Sequence, residues 1–227
     1  MLSIIIPAHN EEVQLKDCLN SLIIQKNRFQ DFEVVVVDNS SSDRTSEVAR
    51  SYKDRLAIKT VDEPRLGVSF ARNTGAKEAR GDFFVFLDAD NIVSDTFLEE
   101  IFEKSKKYDA GTVQCLPIEK SLFGFIIFWI LEGIKISIPR PFGKSFTAKK
   151  IFFEVGGYNT NMTIGTNVDY LSRVKKNLLL KNKSLCHISK PIYASLRRFE
   201  KKGYISTLIL WLSAYLWPSN TAYPPIN

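Results

Sequence analysis

Three short apolar runs, each ending abruptly at polar residues, constrain this chain more than any other feature. They are Leu2-Ser3-Ile4-Ile5-Ile6-Pro7, Phe32 to Val37 and Phe83 to Leu87. Runs of this length, rich in β-branched and aromatic side chains, read as strands covered on both faces. Between them the apolar period changes. Leu15, Cys18, Leu19, Leu22 and Ile23 recur at i, i+3, i+4, i+7 and i+8, the spacing of a helix with one face on a sheet. Thr45 to Tyr52 and Val68 to Ala79 predict further helices, the second stopped by Gly81, with a strand over Leu56 to Val61 between them. Strands alternating with helices in this way specify parallel βαβ units and an open, mostly parallel α/β sheet with helices on both faces.

In such sheets ligands bind outside the carboxyl ends of the strands. The third run ends there in Asp88-Ala89-Asp90. Two carboxylates one residue apart at the end of a buried strand are costly to leave unpaired. A hard divalent cation bridging to phosphate oxygens would neutralise them; a solvated loop with two acids is the plainer alternative. The first βα turn, Pro7-Ala8-His9-Asn10-Glu11, has no G-x-G-x-x-G, which argues against a dinucleotide site. Asn10, Glu11 and Asp38, at the ends of the first two strands, could hydrogen-bond a base and ribose, or Asn10 and Asp38 could cap local turns.

The pattern continues with a helix over Ser94 to Tyr108, a strand over Ala110 to Leu116, a strand and helix over Gly143 to Val155, and a helix opened by Gly165. A late strand is expected over Ile192 to Ser195. Leu122 to Ile138 is too apolar for an exposed helix and short for a bilayer span; it reads as core or as a helix lying on a membrane or acceptor surface. The net charge of +6 is uneven: from Leu171 onward ten Lys or Arg stand against Glu200, giving 10 − 1 = +9 and leaving −3 for residues 1 to 170. Arg197-Arg198-Phe199-Glu200-Lys201-Lys202 then leads into Ile205 to Trp217, with Trp and Tyr among aliphatics. That is the composition of an interfacial anchor at an anionic membrane, or of a docked C-terminal helix. No recognisable nucleic-acid module accompanies it. Cys18, Cys115 and Cys186 are far apart and odd in number, so free thiols in a reducing compartment are expected. Leu2 to Pro7 is too short for a signal-peptide core.

Read together, Ile4 to Glu11, Val34 to Thr45, Ala71-Arg72-Asn73-Thr74-Gly75-Ala76, Gly81 to Asp90 and Gly156-Gly157-Tyr158-Asn159 have a familiar order and spacing. Over about residues 1 to 180 the chain resembles the family 2 glycosyltransferases of GT-A fold, in particular small membrane-associated members. The resemblance implies a GT-A domain over residues 1–196, with a nucleotide-binding half (1–93) and an acceptor half (94–196), followed by a membrane-associating segment (197–227). It implies a UDP- or GDP-linked sugar donor. Pro7, His9, Asn10 and Glu11 would line the nucleotide pocket, Asp38 would hold base or ribose, and Arg65 and Arg72 would reach the nucleotide and its phosphates. Asp88, Ala89 and Asp90 would meet ribose and diphosphate, with Asp88 and Asp90 as ligands of Mg²⁺ or Mn²⁺.

One position departs from the family pattern. The Glu-Asp pair usual before the catalytic helix is replaced by Thr166-Asn167, so Asn167 stands where the general base is expected. An amide is no base near neutral pH, and general base catalysis is typically worth about 10²–10⁴-fold. Asp169 is a substitute candidate, but two residues turn a helical side chain by about 200°. An already anionic polyprenyl-phosphate acceptor would need no base. The expectation is therefore an inverting enzyme acting on a lipid-linked acceptor, or a polysaccharide, at the cytoplasmic face of the cell membrane. The alternative is a nucleotide-sugar-binding scaffold that has lost catalysis. Homo-oligomerisation is left open. His187 has no motif around it and is left out of the metal set.

Overall fold

The computed structural model describes residues 1–119 and 143–197, together with residues 126, 129, 203 and 206. The expected surface helix over Leu122 to Ile138 and the expected anchor over Ile205 to Trp217 lie outside the described residues, apart from Ile126, Trp129 and Ser206.

The three apolar runs form β1 (Leu2–Ala8), β2 (Phe32–Asp38) and β4 (Phe83–Phe86). They lie side by side and parallel, with β3 (Ile58–Asp62) at the outer edge. Their connections are α1 (Gln14–Lys26), α2 (Thr45–Arg50) and α3 (Val68–Glu78). Beyond β4 the sheet becomes mixed. β5 (Asn91–Val93) and α4 (Phe97–Ser105) precede β6 (Ala110–Pro117), β7 (Ser145–Ala148) and α5 (Lys149–Glu154). The last described elements are α6 (Thr166–Leu180) and β8 (Cys186–Ala194). The full order is β3-β2-β1-β4-β7-β6-β8-β5, so one sheet runs through both expected halves. β7 is antiparallel to both β4 and β6, and β6 and β8 are parallel.

Because side chains alternate along a strand, the buried runs supply two cores at once. Ile4, Ile6, Val34, Val36 and Val85 pack with Leu15 and Leu19 of α1 and Leu98 and Ile101 of α4. Ile5, Val35, Val37, Phe84 and Phe86 pack with Ala71 and Ala76 of α3 and Tyr170, Leu171 and Val174 of α6. Gly75 lets α3 approach closely: a Cβ there would stand 2.5 Å from Ile5 Cγ2 and 3.0 Å from Val37 Cγ2.

Two elements extend what the sequence suggested. β8 begins at Cys186, six residues before the expected Ile192, and β5 immediately follows Asp90. The two pair antiparallel, Asn91 opposite Ala194. The end of β8 is thereby brought beside the Asp88-Ala89-Asp90 turn. Among the described residues no helix is long and apolar enough to cross a membrane.

Candidate functional site

The register places the carboxyl ends of β2, β1 and β4 next to one another. Ala8 pairs with Asp38 and Ile5 with Phe86. Adjacent strands lie about 4.8 Å apart, so the residues leaving these three strands share one edge.

On the β1–β2 side, the expected nucleotide residues are tied to one another. Pro7 is half-buried, and His9 and Asn10 are exposed. His9 Nδ1 donates to the Asn39 carbonyl at 2.8 Å. Asn10, at φ 54°, accepts from the Ser42 amide at 2.8 Å and donates its own amide to Ser41 Oγ. Asp38 Oδ1 accepts from the Ser41 amide at 3.0 Å. Asn10 and Asp38 thus do cap the turn between β2 and α2, and a base or ribose would meet them already held in place. Arg65 forks onto Glu63, with Nε and Nη2 at 2.8 and 2.7 Å from its two oxygens. The hydrogen bonds from Arg65 hold the buried Glu63 carboxyl down at about 2, and Thr74 adds another. Buried Asn39, which the sequence reading passed over, joins these loops by donating to the Glu63 and Arg65 carbonyls and accepting from the Gly67 amide.

On the β4 side stands a second cluster. Arg72 of α3 is only 3 % exposed. It lies over the Tyr158 ring at 4.8 Å, and Tyr158 stacks on Tyr170 at 4.2 Å. Its Nη2 donates to Asp88 Oδ1 and its Nη1 to Asn167 Oδ1, both at 2.9 Å. Burial lowers the Arg72 pKa, yet a guanidinium stays charged in a protein. Its buried Nε has no hydrogen-bond partner. Lys144, immediately before β7, forms an ion pair with the other Asp88 oxygen, Oδ2. Ala89 is buried. Asp90 accepts from Asn91 Nδ2 at 3.2 Å and lies 3.7 Å from Arg197 Nη2. The same Arg197 nitrogen donates to both oxygens of Glu11, at 2.7 and 3.0 Å. Burial alone would lower the Arg197 pKa, but the Glu11 hydrogen bonds raise it. Glu119, bonded to Ser195 Oγ and the Leu196 amide, fixes the turn that presents Arg197.

The structure therefore gathers Arg72, Asp88, Asn167 and Lys144 at one point, with Asp90 on the same turn and Glu11 joined to Asp90 through Arg197. Arg65 is engaged elsewhere, on Glu63. Asp169 faces a different partner from Asn167: Arg173 Nε and Nη2 donate to it at 3.0 and 2.6 Å. Lys144 was missed because nothing around it in sequence announces a charge aimed at Asp88. Beside the cluster an open depression of about 340 Å³ is lined by Gly157, Tyr158, Thr160 and Arg173, among others.

Among the described residues no three His, Cys, Asp or Glu side chains share a site for a metal ion. Two carboxylates nevertheless suit a Mg²⁺- or Mn²⁺-type cation, which commonly takes one or two carboxylates together with substrate phosphates and waters. Asp90, beside Asn91 and Arg197, has the chemistry for that role. Asp88 fits through Oδ2 once Lys144 moves, since Arg72 holds Oδ1.

The profile of glycosyl transferase family 2 matches residues 3–164. The chain belongs to that family. Validoxylamine A glucosyltransferase of Streptomyces hygroscopicus subsp. jinggangensis is 40% identical over 103 residues, covering 44% of this chain and 24% of the relative. The crystal structure of Staphylococcus aureus TarS 1-349 superposes with TM-score 0.69 at 20% identity, over 88% of this chain and 62% of that one. Mannosyltransferase PcManGT of Pyrobaculum calidifontis, in complex with GDP-Man and Mn²⁺, superposes with TM-score 0.64 at 22% identity, over 84% of this chain and 54% of that one. These two likenesses show the shared GT-A fold. The chain spans a quarter to a third of the length of curated family 2 relatives such as this one.

Proposed function

We propose that this chain is an inverting, metal-assisted glycosyltransferase that takes a UDP- or GDP-linked sugar and transfers the sugar to a lipid-linked, polyprenyl-phosphate acceptor. The observation that carries the reading is Arg72: a nearly fully buried guanidinium that holds Asp88 with one nitrogen and Asn167 with another, at the carboxyl edge of β4. A buried guanidinium that stays charged is a positive centre at this edge, of the kind that pairs with phosphate oxygens. Structures of TarS hold UDP and UDP-GlcNAc, and that of PcManGT holds GDP-Man and Mn²⁺. In this chain residues 1–93 would bind the nucleotide, with Asn10 and Asp38 at the base and ribose. Asp90 and Asp88 would hold the divalent cation, which supplies Lewis-acid stabilisation of the departing diphosphate.

Asn167 shapes the acceptor side. Its Oδ1 is committed to Arg72, so the amide offers Nδ2–H as a donor. A phosphate acceptor can take that hydrogen bond, and it is already anionic. Its oxygen attacks the anomeric carbon, the bond to the diphosphate oxygen breaks, and the electron pair leaves with the diphosphate. No proton has to be removed. The depression at Tyr158, with Arg173 on its wall, would seat this acceptor. The basic segment 197–227 would hold the chain on the inner face of the cell membrane.

A thermal-shift panel of UDP- and GDP-sugars with Mn²⁺ tests the donor. Binding raises stability by RT ln(1 + [L]/Kd), so one nucleotide should raise the melting temperature well above the other. A panel with no response would overturn the reading. Asn167 also favours a second reading, a nucleotide-sugar-binding scaffold without catalysis. Slow metal-dependent release of nucleotide from the bound donor would exclude that reading; tight binding with no turnover on water or any lipid phosphate would establish it.

A further inference from the structure

We propose that Lys144 is a diphosphate-binding residue of the donor site, held in reserve on the Asp88 oxygen that a divalent cation would use. The inference rests on the donor reading above. Each cation of the cluster is set against one of the chain's own acids: Arg72 and Lys144 on Asp88, Arg197 on Glu11 and near Asp90. Asp88 is engaged on both oxygens by two different bases. Arg72 alone would satisfy the needs of the fold, since it also carries Asn167 and packs on Tyr158. A second, largely buried ammonium on the same carboxylate brings a desolvation cost that its pairing only partly offsets.

The geometry lets Lys144 exchange partners. β7 pairs with β4 through Ser145 opposite Phe86, so Lys144 stands one step further along, level with the exit of β4 towards Asp88. Its backbone is fixed, because its carbonyl accepts from the Val113 amide at 3.0 Å. Its four-carbon stem is free to swing the ammonium by several ångströms. A cation arriving with the donor would compete with Lys144 for Asp88 Oδ2. The displaced ammonium is then adjacent to the diphosphate that came with that cation, and it can donate to a phosphate oxygen.

Two affinities should therefore move in opposite directions on Lys144→Met. Mn²⁺ alone, titrated calorimetrically into the full chain, should bind more tightly, because its competitor is gone. UDP and GDP at saturating Mn²⁺ should bind more weakly, by about 10- to 100-fold, the range of one hydrogen bond to a charged group. Lys144→Arg should keep nucleotide affinity near wild type. Circular dichroism checks the fold of each variant, and Lys144→Gln carries the same test if the Met variant misfolds. Unchanged nucleotide affinity in folded Lys144→Met or Lys144→Gln overturns the proposal, as does Mn²⁺ binding that weakens in step with the nucleotide. If the wild-type chain itself binds neither UDP nor GDP with Mn²⁺, the donor reading has failed, and the role of Lys144 falls with it.

Discussion

In the proposed mechanism Arg72 and Asn167 decide the chemistry at the scale of single residues. Arg72→Lys keeps a charge but loses the fork that spans Asp88 and Asn167, so nucleotide affinity should fall by about 10- to 100-fold without loss of fold. Calorimetry of UDP and GDP with the variant checks it. Asn167→Asp would set a second carboxylate on Arg72 and remove the amide donor. Transfer to a polyprenyl phosphate should then drop, through repulsion between carboxylate and phosphate, and radiolabelled sugar transfer measures it. A large gain with sugar-hydroxyl acceptors would show instead that the position is a lost base. Arg72, Asp88, Asp90 and Asn167 were legible in the sequence as candidates, because they sit in short motifs at strand and helix ends, and the structure brings the first two and the last into contact. Lys144 was not, because its pairing with Asp88 arises from strand β7 folding back antiparallel on β4. Arg197 was visible only as a basic residue; its grip on Glu11 depends on β8 ending beside β5.

The elements explain why those residues meet. Largely apolar runs specified β1, β2 and β4, strand–helix alternation specified their parallel pairing, and the helical period specified α1. The mixed half was less legible, since β5 is three residues long and β8 carries Lys190 and Pro191 within it. In the proposed reading donor binding turns on α3, as Arg72 rides on it three residues before Gly75. Gly75→Ala would force a methyl to within 2.5 Å of Ile5 Cγ2. Overpacking of this kind costs about 1–3 kcal/mol, and any shift of α3 moves Arg72 with it. Both melting temperature and nucleotide affinity should fall together. The Glu63 network at the start of α3 makes a pH prediction. The Arg65 hydrogen bonds hold the folded carboxyl at about 2, below an unfolded glutamate near ~4.3. Its contribution is therefore complete above the unfolded value and is lost as pH falls from there through about 2. Urea melts across that window should show wild type losing stability more steeply than Glu63→Gln.

Across the described residues, one mixed sheet gathers the carboxyl ends of β2, β1 and β4 at one edge and, two strands beyond β7, a returning strand delivers Arg197 to the same edge. The proposed donor site would thus be assembled from distant parts of the sequence, with Glu11 near the start paired to Arg197 after β8. The acid pair after β4 first suggested a cation, and the structure adds that Lys144 occupies the Asp88 oxygen on which the proposed cation would sit. A crystal structure with UDP or GDP and Mn²⁺ tests the central claim most directly. The account predicts the diphosphate within hydrogen-bonding distance of Arg72, Mn²⁺ on Asp90 and the base over Asp38. A nucleotide seated away from Arg72, or none bound at millimolar concentration, would contradict it.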